Sequence, residues 1–242
     1  MRLAPPRLAP VLLFAAASCH TESLSDFATS AVTASITALT KGDGSTNVTA
    51  TLREGPTSLT FLQLTSDDAL AVTSGTTQRM TELSLLGVVS YSASMPLDAE
   101  GTTFTVALTR KKDSGAPHSV MTLPAGFTLA SLASASYSRA DAGPTVGWSP
   151  ASSQPMELSF SGNCIDDFSD SAPASSASYS LPAGALHKRT AQATPDGGQA
   201  VPDTCAVTVD VDRVLSGTLD PGYAGGDASG IQRRSASFQS GP

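Results

Sequence analysis

Apolar and polar residues alternate along much of this chain, and this two-residue period constrains its fold more than any other feature. From residue 32 to residue 38, valine, alanine or isoleucine occupies every second position, with threonine or serine between them. Residues 47–53 resume the alternation after the glycine-containing turn 41–45. Because successive side chains of a strand point to opposite faces, the two runs predict a β-hairpin with one buried face.

Short apolar runs separated by glycine, proline or aspartate continue along the chain and show no helical period. Their positions predict further strands at 59–64, 70–73, 80–92, 103–109, 127–129, 144–150, 156–162, 205–212 and 231–238. The pattern stops at Leu123-Pro124-Ala125-Gly126 and restarts at Phe127. We therefore predict an all-β protein with two β-sandwich domains, over residues 30–123 and 124–242.

The amino-terminal residues have the composition of an export signal. Arg2 and Arg7 precede an apolar run from Leu8 to Ala17, which is within the ~7–15 residues usual for secretory signals. The run is shorter than the ~20 apolar residues of a membrane-spanning helix. Ala16-Ala17-Ser18-Cys19 resembles the bacterial lipobox, in which small residues precede a cysteine that becomes acylated.

This resemblance implies a signal peptide over residues 1–18, acylation of Cys19 with chains such as palmitate, and a lipidated tether over residues 19–29. Two or more acyl chains hold a protein stably on a membrane. His20 stands where some bacteria place an aspartate that retains lipoproteins in the inner membrane, so we expect a cell-envelope protein anchored in the outer membrane. The alternative is ordinary cleavage after Ala15-Ala16-Ala17, which would leave Cys19 as a free thiol.

Two cysteines remain if Cys19 is acylated, and each borders an alternating run. Cys164 follows residues 156–162, and Cys205 begins residues 205–212. Because the compartment of an exported protein permits disulfides, we predict a Cys164–Cys205 bridge. Two separate buried thiols or a shared metal ion are the alternatives, although no histidine is near either cysteine in sequence.

Val146 and Trp148 alternate after a Gly-Pro turn, which resembles the second strand of fibronectin-III and related immunoglobulin-like modules. The resemblance implies that Trp148, the one tryptophan of the chain, anchors the core of the second sandwich. As a whole, the sequence is similar to uncharacterised two-domain lipoproteins of bacterial envelopes. That similarity supplies no activity to transfer, and our leading hypothesis is a structural, adhesive or protein-interaction role, exercised through contacts on loops.

Residues suited to catalysis are few. The histidines are His20, His118 and His187, and we expect the last two in exposed loops. No Gly-x-Ser-x-Gly, phosphate-binding glycine loop or His-Glu-x-x-His motif occurs. We therefore predict a non-enzymatic protein without catalytic residues, cofactor or metal. The formal charge is −7, and becomes −9 once Arg2 and Arg7 are removed, which argues against a nucleic-acid partner.

The alternative function is a ligand-binding module for a glycan or Ca²⁺. The acidic groups considered for Ca²⁺ are Asp166, Asp167, Asp170, Asp220 and Asp227. Tyr223 is the best exposed candidate for stacking on a sugar ring, followed by Tyr137 and Tyr179. The expected partners are thus the membrane, through the lipid anchor, and an envelope protein or glycan.

Two other charged groups are expected to face solvent. Arg110-Lys111-Lys112 is predicted to be a solvated loop, since lipid recognition usually takes ~4–8 clustered cations. Asp210 and Asp212 alternate with valines, which places them on the solvent face of a strand.

Overall fold

The computed structural model describes residues 20–190 and 200–242, which consist mainly of β-strands and turns. Within these residues the helical segments are short 3-10 turns at Leu24–Asp26 and Thr29–Ala31. The all-β prediction is therefore confirmed. The predicted signal peptide over residues 1–18 and the predicted lipidation site Cys19 lie outside the described residues.

Strands follow one another closely along the described chain. The first ten are β1 (His20–Ser23), β2 (Val32–Thr40), β3 (Thr46–Glu54), β4 (Thr60–Gln63), β5 (Ala69–Ser74), β6 (Thr76–Arg79), β7 (Thr81–Leu85), β8 (Val88–Met95), β9 (Thr103–Thr109) and β10 (Ala116–Thr122). The remaining strands are β11 (Thr128–Leu129), β12 (Ser136–Ser138), β13 (Thr145–Ser149), β14 (Met156–Gly162), β15 (Phe168–Ala172), β16 (Ser178–Ser180), β17 (Cys205–Ser216) and β18 (Gly225–Gly241).

The strands of the described residues form three sheets. The largest has eleven strands, and its main path has the order β1-β4-β3-β2-β18-β17-β14-β15. β8 also pairs with β3, β7 pairs with β8, and β12 pairs with the end of β18. The two smaller sheets have the orders β10-β9-β5-β6 and β11-β13-β16.

The first hydrophobic core lies between the four-stranded sheet and strands β2, β3 and β8 of the large sheet. Alternate residues of β2 and β3 supply fully buried side chains, namely Val32, Ala34, Ile36, Ala38, Val48, Ala50 and Leu52. Phe104, Val106 and Leu108 of β9 join them from the smaller sheet. The predicted β2–β3 hairpin is confirmed, with Thr40 opposite Thr46.

The second hydrophobic core lies between the three-stranded sheet and strands β14, β17 and β18. Trp148 of β13 is 4% exposed, and its Nε1 donates to the carbonyl of Ser176 at 3.0 Å. It is a buried core residue, as the fibronectin-III resemblance implied. Phe160 and Phe238 pack in the same core from the large sheet. Each core therefore lies between two sheets, as in a β-sandwich.

β18 contributes to both cores because its two ends have different neighbours. Residues 225–232 pair in parallel with residues 33–40 of β2, and residues 229–240 pair antiparallel with β17. Tyr223 and Ala228 are buried in the first core, far in sequence from its other members. The domain boundary between residues 123 and 124 stays a prediction.

Residues 20–29 are part of the folded body, so the prediction of a tether does not hold for them. β1 pairs in parallel with β4, and Leu24 is fully buried in the first core. The guanidinium of Arg110 donates to the carbonyls of Leu24 at 2.7 Å and Phe27 at 2.8 Å. One buried leucine and a distant arginine thus fix a segment whose composition is mostly polar.

Arg110 is buried, although the sequence predicts that Arg110-Lys111-Lys112 form a solvated loop. Its side chain is buried, with Nε 3.8 Å from Asp68 Oδ1 and Nη1 3.1 Å from Asp113 Oδ2. Lys111 and Lys112 are exposed, as predicted. The prediction is wrong for Arg110 because carboxylates and backbone carbonyls supply the partners that a buried guanidinium needs.

The connection between the two cores is held by Arg213 of β17. This side chain is 4% exposed and donates to the carbonyls of Ala125 at 3.1 Å, Gly126 at 3.3 Å and Pro150 at 2.7 Å. Its guanidinium also lies 5.1 Å from the centre of the Phe127 ring. Burial lowers the pKa of Arg213 from its ordinary value. The Arg213 side chain therefore holds residues 125–126, which connect the two cores, against β17 of the eleven-stranded sheet.

Candidate interaction site

The described chain begins beside the tip of the hairpin formed by β7 and β8. The amide of His20 is 3.4 Å from the carbonyl of Leu59, and β1 then runs alongside β4. Thr21 Oγ1 donates to the carbonyl of Gly87 at 3.2 Å. Cys19 lies outside the described residues but is bonded to His20.

Leu86 and Gly87 form the two-residue loop of the β7–β8 hairpin. Leu85 pairs with Val88 across the strands, and both loop residues have positive φ angles, 50° for Leu86 and 79° for Gly87. Such φ angles are those of a type I′ turn, which favours asparagine and glycine. Leucine is an uncommon residue there, because a Cβ in the left-handed region crowds the following carbonyl oxygen.

The end of this hairpin is apolar and open to solvent. Four large apolar residues of the hairpin have exposed fractions above a third, Leu83 63%, Leu85 67%, Leu86 89% and Val88 39%, and so does Leu59 at 49%, which precedes β4 and is hydrogen-bonded to His20 of the neighbouring β1. The hairpin side chains Val89 and Tyr91 are buried in the first core, so the alternate residues Leu83, Leu85 and Val88 face outward. We refer to the five exposed residues as the apolar tip.

Sequence reasoning missed the apolar tip because it assigned residues 80–92 to strand without a turn. The signal that would have found the turn is Leu86-Gly87 between two alternating runs, since a glycine in a two-residue loop is typical of a hairpin. No pattern in the sequence indicated that these leucines would be exposed, because burial depends on which strands pack over them.

The apolar tip and the second core lie at opposite ends of the first sandwich. β1 and β4 meet β3 near residue 53, at the end where β2 begins. β18 starts at the same end beside residue 33, runs parallel to β2, and continues beyond it into the second core. At ~3.3 Å per residue, a strand as long as β18 extends over roughly 50 Å.

A polar groove of about 510 Å³ lies on strands β14, β15, β17 and β18, at the second sandwich. Its polar side chains are two carboxylates, a guanidinium and three hydroxyls, from Glu157, Asp212, Arg233, Ser159, Ser169 and Ser171, whereas Asp170 pairs with the buried Leu158 and turns its carboxylate to the other face of β15. We refer to these six residues as the polar groove. Arg233 already binds Asp212 through hydrogen bonds of 2.7 Å and 2.6 Å, so the groove has an excess of negative charge.

Asp210 and Asp212 are on the outer face of β17, as predicted, but that face is not fully solvated. Asp212 is 8% exposed, so the prediction of a solvent-facing side chain is wrong for this residue. Arg233 of the neighbouring β18 lies across both carboxylates, with Nη1 3.1 Å from Asp210 Oδ2. The ion pairs hold β17 and β18 together and cover Asp212.

Cys164 and Cys205 form a disulfide, as predicted, with Cα atoms 5.7 Å apart. Both cysteines are buried in the second core. β14 and β17, which border the two cysteines in sequence, are antiparallel neighbours in the large sheet. The bridge therefore joins the turn that follows β14 to the first residue of β17, and neither sulfur is a free thiol.

The acidic residues considered for Ca²⁺ do not converge in the described part of the chain. Asp220 is 5% exposed, and its carboxylate accepts the amides of His118 and Gly222, each at 2.7 Å. Asp227 accepts the hydroxyl of Ser35 at 3.0 Å. Over residues 20–190 and 200–242, no three His, Cys, Asp or Glu side chains are grouped to hold a metal ion.

Tyr223 is buried, so the prediction that it is the best exposed tyrosine is wrong. Its side chain is 6% exposed and packs in the first core. The amide of Tyr223 is 3.2 Å from the carbonyl of Asp220, and that of Ala224 is 2.8 Å from the carbonyl of Val32. These bonds fold the glycine-rich loop back onto the first sandwich, which buries the ring and raises the pKa of its hydroxyl.

Tyr137 and Tyr179 are half-buried, and each has a neighbour within the second sandwich. Tyr137 packs edge-on against Phe238, with ring centres 5.5 Å apart. The hydroxyl of Tyr179 donates to Asp170 at 2.6 Å, which lowers the pKa of that carboxyl. The contacts with Phe238 and Asp170 account for the positions of both tyrosines without a sugar.

Asp167, another residue considered for Ca²⁺, is 3.5 Å from the guanidinium of Arg189.

The histidines of the described residues are exposed. His118 lies on β10 rather than in a loop, and His187 follows the buried Leu186. His20 is 3.5 Å from the carboxylate of Glu22. The absence of catalytic residues and cofactors stays a prediction. Among the residues that the structure describes, no helix has both the length and the apolar character required to cross a membrane.

Comparison with known proteins gives a structural likeness and no family. No family model matches the sequence, and no curated protein matches it. Among solved structures, the chain is similar to the crystal structure of chicken CNTN1 FN1-FN3 domains, with 8% sequence identity and a TM-score of 0.28. The match covers 86% of this chain and 64% of the CNTN1 chain. This protein therefore spans less than two thirds of the length of that structure.

Proposed function

We propose that this protein is a membrane-anchored, non-enzymatic lipoprotein of the cell envelope that presents its second sandwich to a protein partner. The observation that supports the proposal is that residue 20 and the second sandwich lie at opposite ends of the first sandwich. Residue 20, which follows the predicted lipidation site, lies at one end of the first sandwich, and the second core lies at the other. A structural, adhesive or protein-interaction role follows from such a display.

The link between the two sandwiches supports this role because it is made of paired strands. β17 and β18 are hydrogen-bonded over residues 205–216 and 229–240. β18 is bonded to β2 over residues 225–232, so the same strand is held in both sandwiches. Domains joined only by a flexible linker usually move relative to each other. We expect the anchored end and the polar groove to move as one body.

The polar groove is the surface that we assign to the partner. Glu157 and Asp212 supply its negative charge, and the serine hydroxyls around them both donate and accept hydrogen bonds. Complementary charge accelerates association and excludes wrong partners. The partner that fits is therefore an envelope protein with a basic or donor-rich segment.

A glycan is the second candidate ligand, and the same groove favours it. Carboxylates and serine hydroxyls are groups that hydrogen-bond the hydroxyls of a sugar. The groove is open and about 510 Å³ in volume, which is within the range of small-ligand sites. The buried Tyr223 offers no stacking surface, so recognition would depend on hydrogen bonds.

The intact mass of the full-length protein, produced in a bacterial host, tests the anchor. We expect loss of residues 1–18, acyl mass on Cys19, and recovery in the outer-membrane fraction. The Cys19→Ser variant should carry no acyl mass and leave that fraction. A wild-type mature protein without acyl mass would overturn the proposed anchor.

Photo-crosslinking in envelope extracts tests the partner. A photoreactive residue at Ser171, in the groove, is compared with the same residue at the exposed Thr77 of β6. We expect a specific adduct from position 171 alone. If that position gives no adduct and purified envelope glycans change its chemical environment on titration, the ligand is a glycan and the protein-partner proposal fails.

A further inference from the structure

We propose that the apolar tip inserts into the interfacial region of the lipid bilayer that carries the anchor. The protein would then contact its membrane through a folded surface as well as through Cys19. This inference rests on the proposed lipid anchor and goes beyond it, because it names the folded residues that touch lipid. The occupant is the bilayer, rather than a second copy of the chain or another protein.

Exposed large apolar side chains are concentrated at this site. Of the six described residues of this kind, five form the apolar tip, and the sixth, Leu97, is 38% exposed. Leu97 follows the other end of β8, roughly 25 Å along the strand from Val88. Scattered apolar residues are ordinary on a soluble surface, whereas a contiguous group indicates an interaction site.

Leu86 is the most exposed of these residues and has the least suitable backbone. Its φ of 50° is in the left-handed region, where asparagine or glycine is preferred in a type I′ turn. A leucine that is 89% exposed gains little from packing within the chain. Neither the turn nor the core accounts for this residue, and an unfavourable backbone conformation of this kind motivates a functional explanation.

The position of the amino terminus identifies the bilayer as the occupant. Thr21 is hydrogen-bonded to Gly87 of the turn, and His20 lies against Leu59 of the apolar tip. Acyl chains on Cys19 would enter the membrane one residue before His20. The apolar tip must then face the same membrane, while the second sandwich extends away from it.

Charged groups next to the apolar tip limit the depth of insertion. His20 and Glu22 are exposed or half-exposed on β1, and Glu82 accepts a hydrogen bond from Gln63 at 2.7 Å. These groups need water or headgroups around them. Surface-bound apolar side chains reach ~5–10 Å into the headgroup–acyl boundary, which suits leucines beside such charges.

Fluorescence quenching in vesicles tests the insertion. The acylated protein, with an environment-sensitive dye on Leu86→Cys, is reconstituted into phosphatidylcholine vesicles that contain spin-labelled lipid. We expect a blue shift of the emission, quenching by the spin-labelled lipid and protection from aqueous iodide. The matched control is the same dye on Leu97→Cys, which should show iodide quenching and no blue shift.

Leu86→Asn separates membrane contact from folding. Asparagine followed by glycine is a preferred type I′ pair, so the hairpin should be at least as stable as in the wild type. With the dye on Val88→Cys, we expect Leu86→Asn to weaken membrane insertion of the tip roughly tenfold, since it removes one buried leucine. The unfolding midpoint of the variant should not fall.

The other outcomes are distinct. If the protein carries acyl mass and floats with vesicles but position 86 behaves like position 97, the insertion is wrong and the anchor stands. If no acyl mass is found and the protein does not float, the proposed anchor fails and the insertion fails with it. Protection of position 86 without lipid, together with crosslinked dimers, would make a second copy the occupant and overturn the proposal.

Discussion

Arg233 donates two hydrogen bonds to the carboxylate of Asp212, from Nε to Oδ1 at 2.7 Å and from Nη2 to Oδ2 at 2.6 Å. Arg233 follows Gln232, the last residue of β18 that pairs with β2. The ion pair therefore lies where β18 passes from the first sandwich into the second. Because β17 and β18 hold both sandwiches in one sheet, this contact bears on the rigidity that the proposed display requires.

We predict that Asp212 and Arg233 are energetically coupled. In a double-mutant cycle of Asp212→Asn and Arg233→Gln, the coupling free energy should be about 1–2 kcal/mol, because paired hydrogen bonds between partly buried charged groups exceed the average. Urea unfolding at pH 7 measures the four free energies of unfolding. The pair is suitable because its side chains are only 27% and 11% exposed.

The exposed pair Lys111–Asp67 is the control for this cycle. Its atoms are 3.4 Å apart, and its side chains are 71% and 45% exposed. Surface pairs of this kind usually contribute less than ~1 kcal/mol. Equal coupling free energies in the two cycles would mean that the Asp212–Arg233 pair stabilises the protein no more than an exposed surface ion pair does.

A second prediction concerns Gly230, where β18 approaches the four-stranded sheet. A Cβ there would lie 2.0 Å from the carbonyl oxygen of Thr122, so the backbone of β10 or β18 would have to shift. Gly230→Ala should lower the free energy of unfolding by about 1–3 kcal/mol, as overpacked substitutions do. Denaturant unfolding checks this value.

Gly225→Ala is the matched control, on the same strand. Nothing lies within 4 Å of a Cβ at Gly225. The control should change the free energy of unfolding by less than ~0.5 kcal/mol, as surface substitutions usually do. If the two variants were equally stable, the close approach of β18 and β10 would not constrain the fold.

The pH dependence of stability should include a contribution from Asp113. Its carboxylate accepts the amide of Thr29 at 2.5 Å and the guanidinium of Arg110 at 3.1 Å. The backbone hydrogen bond from Thr29 is the largest cause that lowers the pKa of Asp113, followed by that from Ser114. A lowered folded-state pKa stabilises the fold above the ordinary aspartate pKa of ~4, and this stabilisation is lost as the pH falls through the folded-state value.

Asp113→Asn tests this sign. At pH 7 the variant should unfold at a lower urea concentration than the wild type. The difference should shrink as the pH is lowered below ~4, since the wild-type carboxyl then takes up its proton. A difference that is constant from pH 7 to pH 3 would show that the hydrogen bonds, rather than the charge, stabilise the segment.

The parts of the fold that could be predicted from the sequence are those with local signals. The β2–β3 hairpin follows from alternation within one stretch of chain, and its residues are neighbours in both sequence and space. The disulfide follows from the presence of three cysteines, one of which has another predicted role. These inferences needed no knowledge of how distant segments meet.

The pairing of β18 with β2 could not be predicted in this way. Gly225 and Gly226 follow Tyr223 in a stretch whose glycines and Pro221 indicate a loop, yet β18 begins at Gly225 and pairs beside Thr33. Residues so far apart in sequence share no local pattern. The same limit explains the apolar tip, because the exposure of its leucines depends on which strands cover the hairpin.

The final prediction concerns Arg213, which fastens the connection between the two cores. Its guanidinium donates to three backbone carbonyls, so Arg213→Met would leave buried acceptors without a donor. We expect a loss of about 1–3 kcal/mol in the free energy of unfolding, measured by urea unfolding. Arg213→Lys should recover little, because a single ammonium cannot match the planar fork of a guanidinium.

Arg234→Met separates the carbonyl contacts from the stacking on Phe127. The Arg234 guanidinium also lies over that ring, 5.4 Å from its centre, but its Nη1 donates to the carbonyl of the adjacent Arg233 rather than to the connection between the cores. A cation over an aromatic ring at a partly exposed site contributes ~0.5–1 kcal/mol. If Arg213→Met costs clearly more than Arg234→Met, the carbonyl contacts hold the connection. If the two losses are equal, stacking on Phe127 accounts for both, and Arg213 does not act as the fastener between the cores.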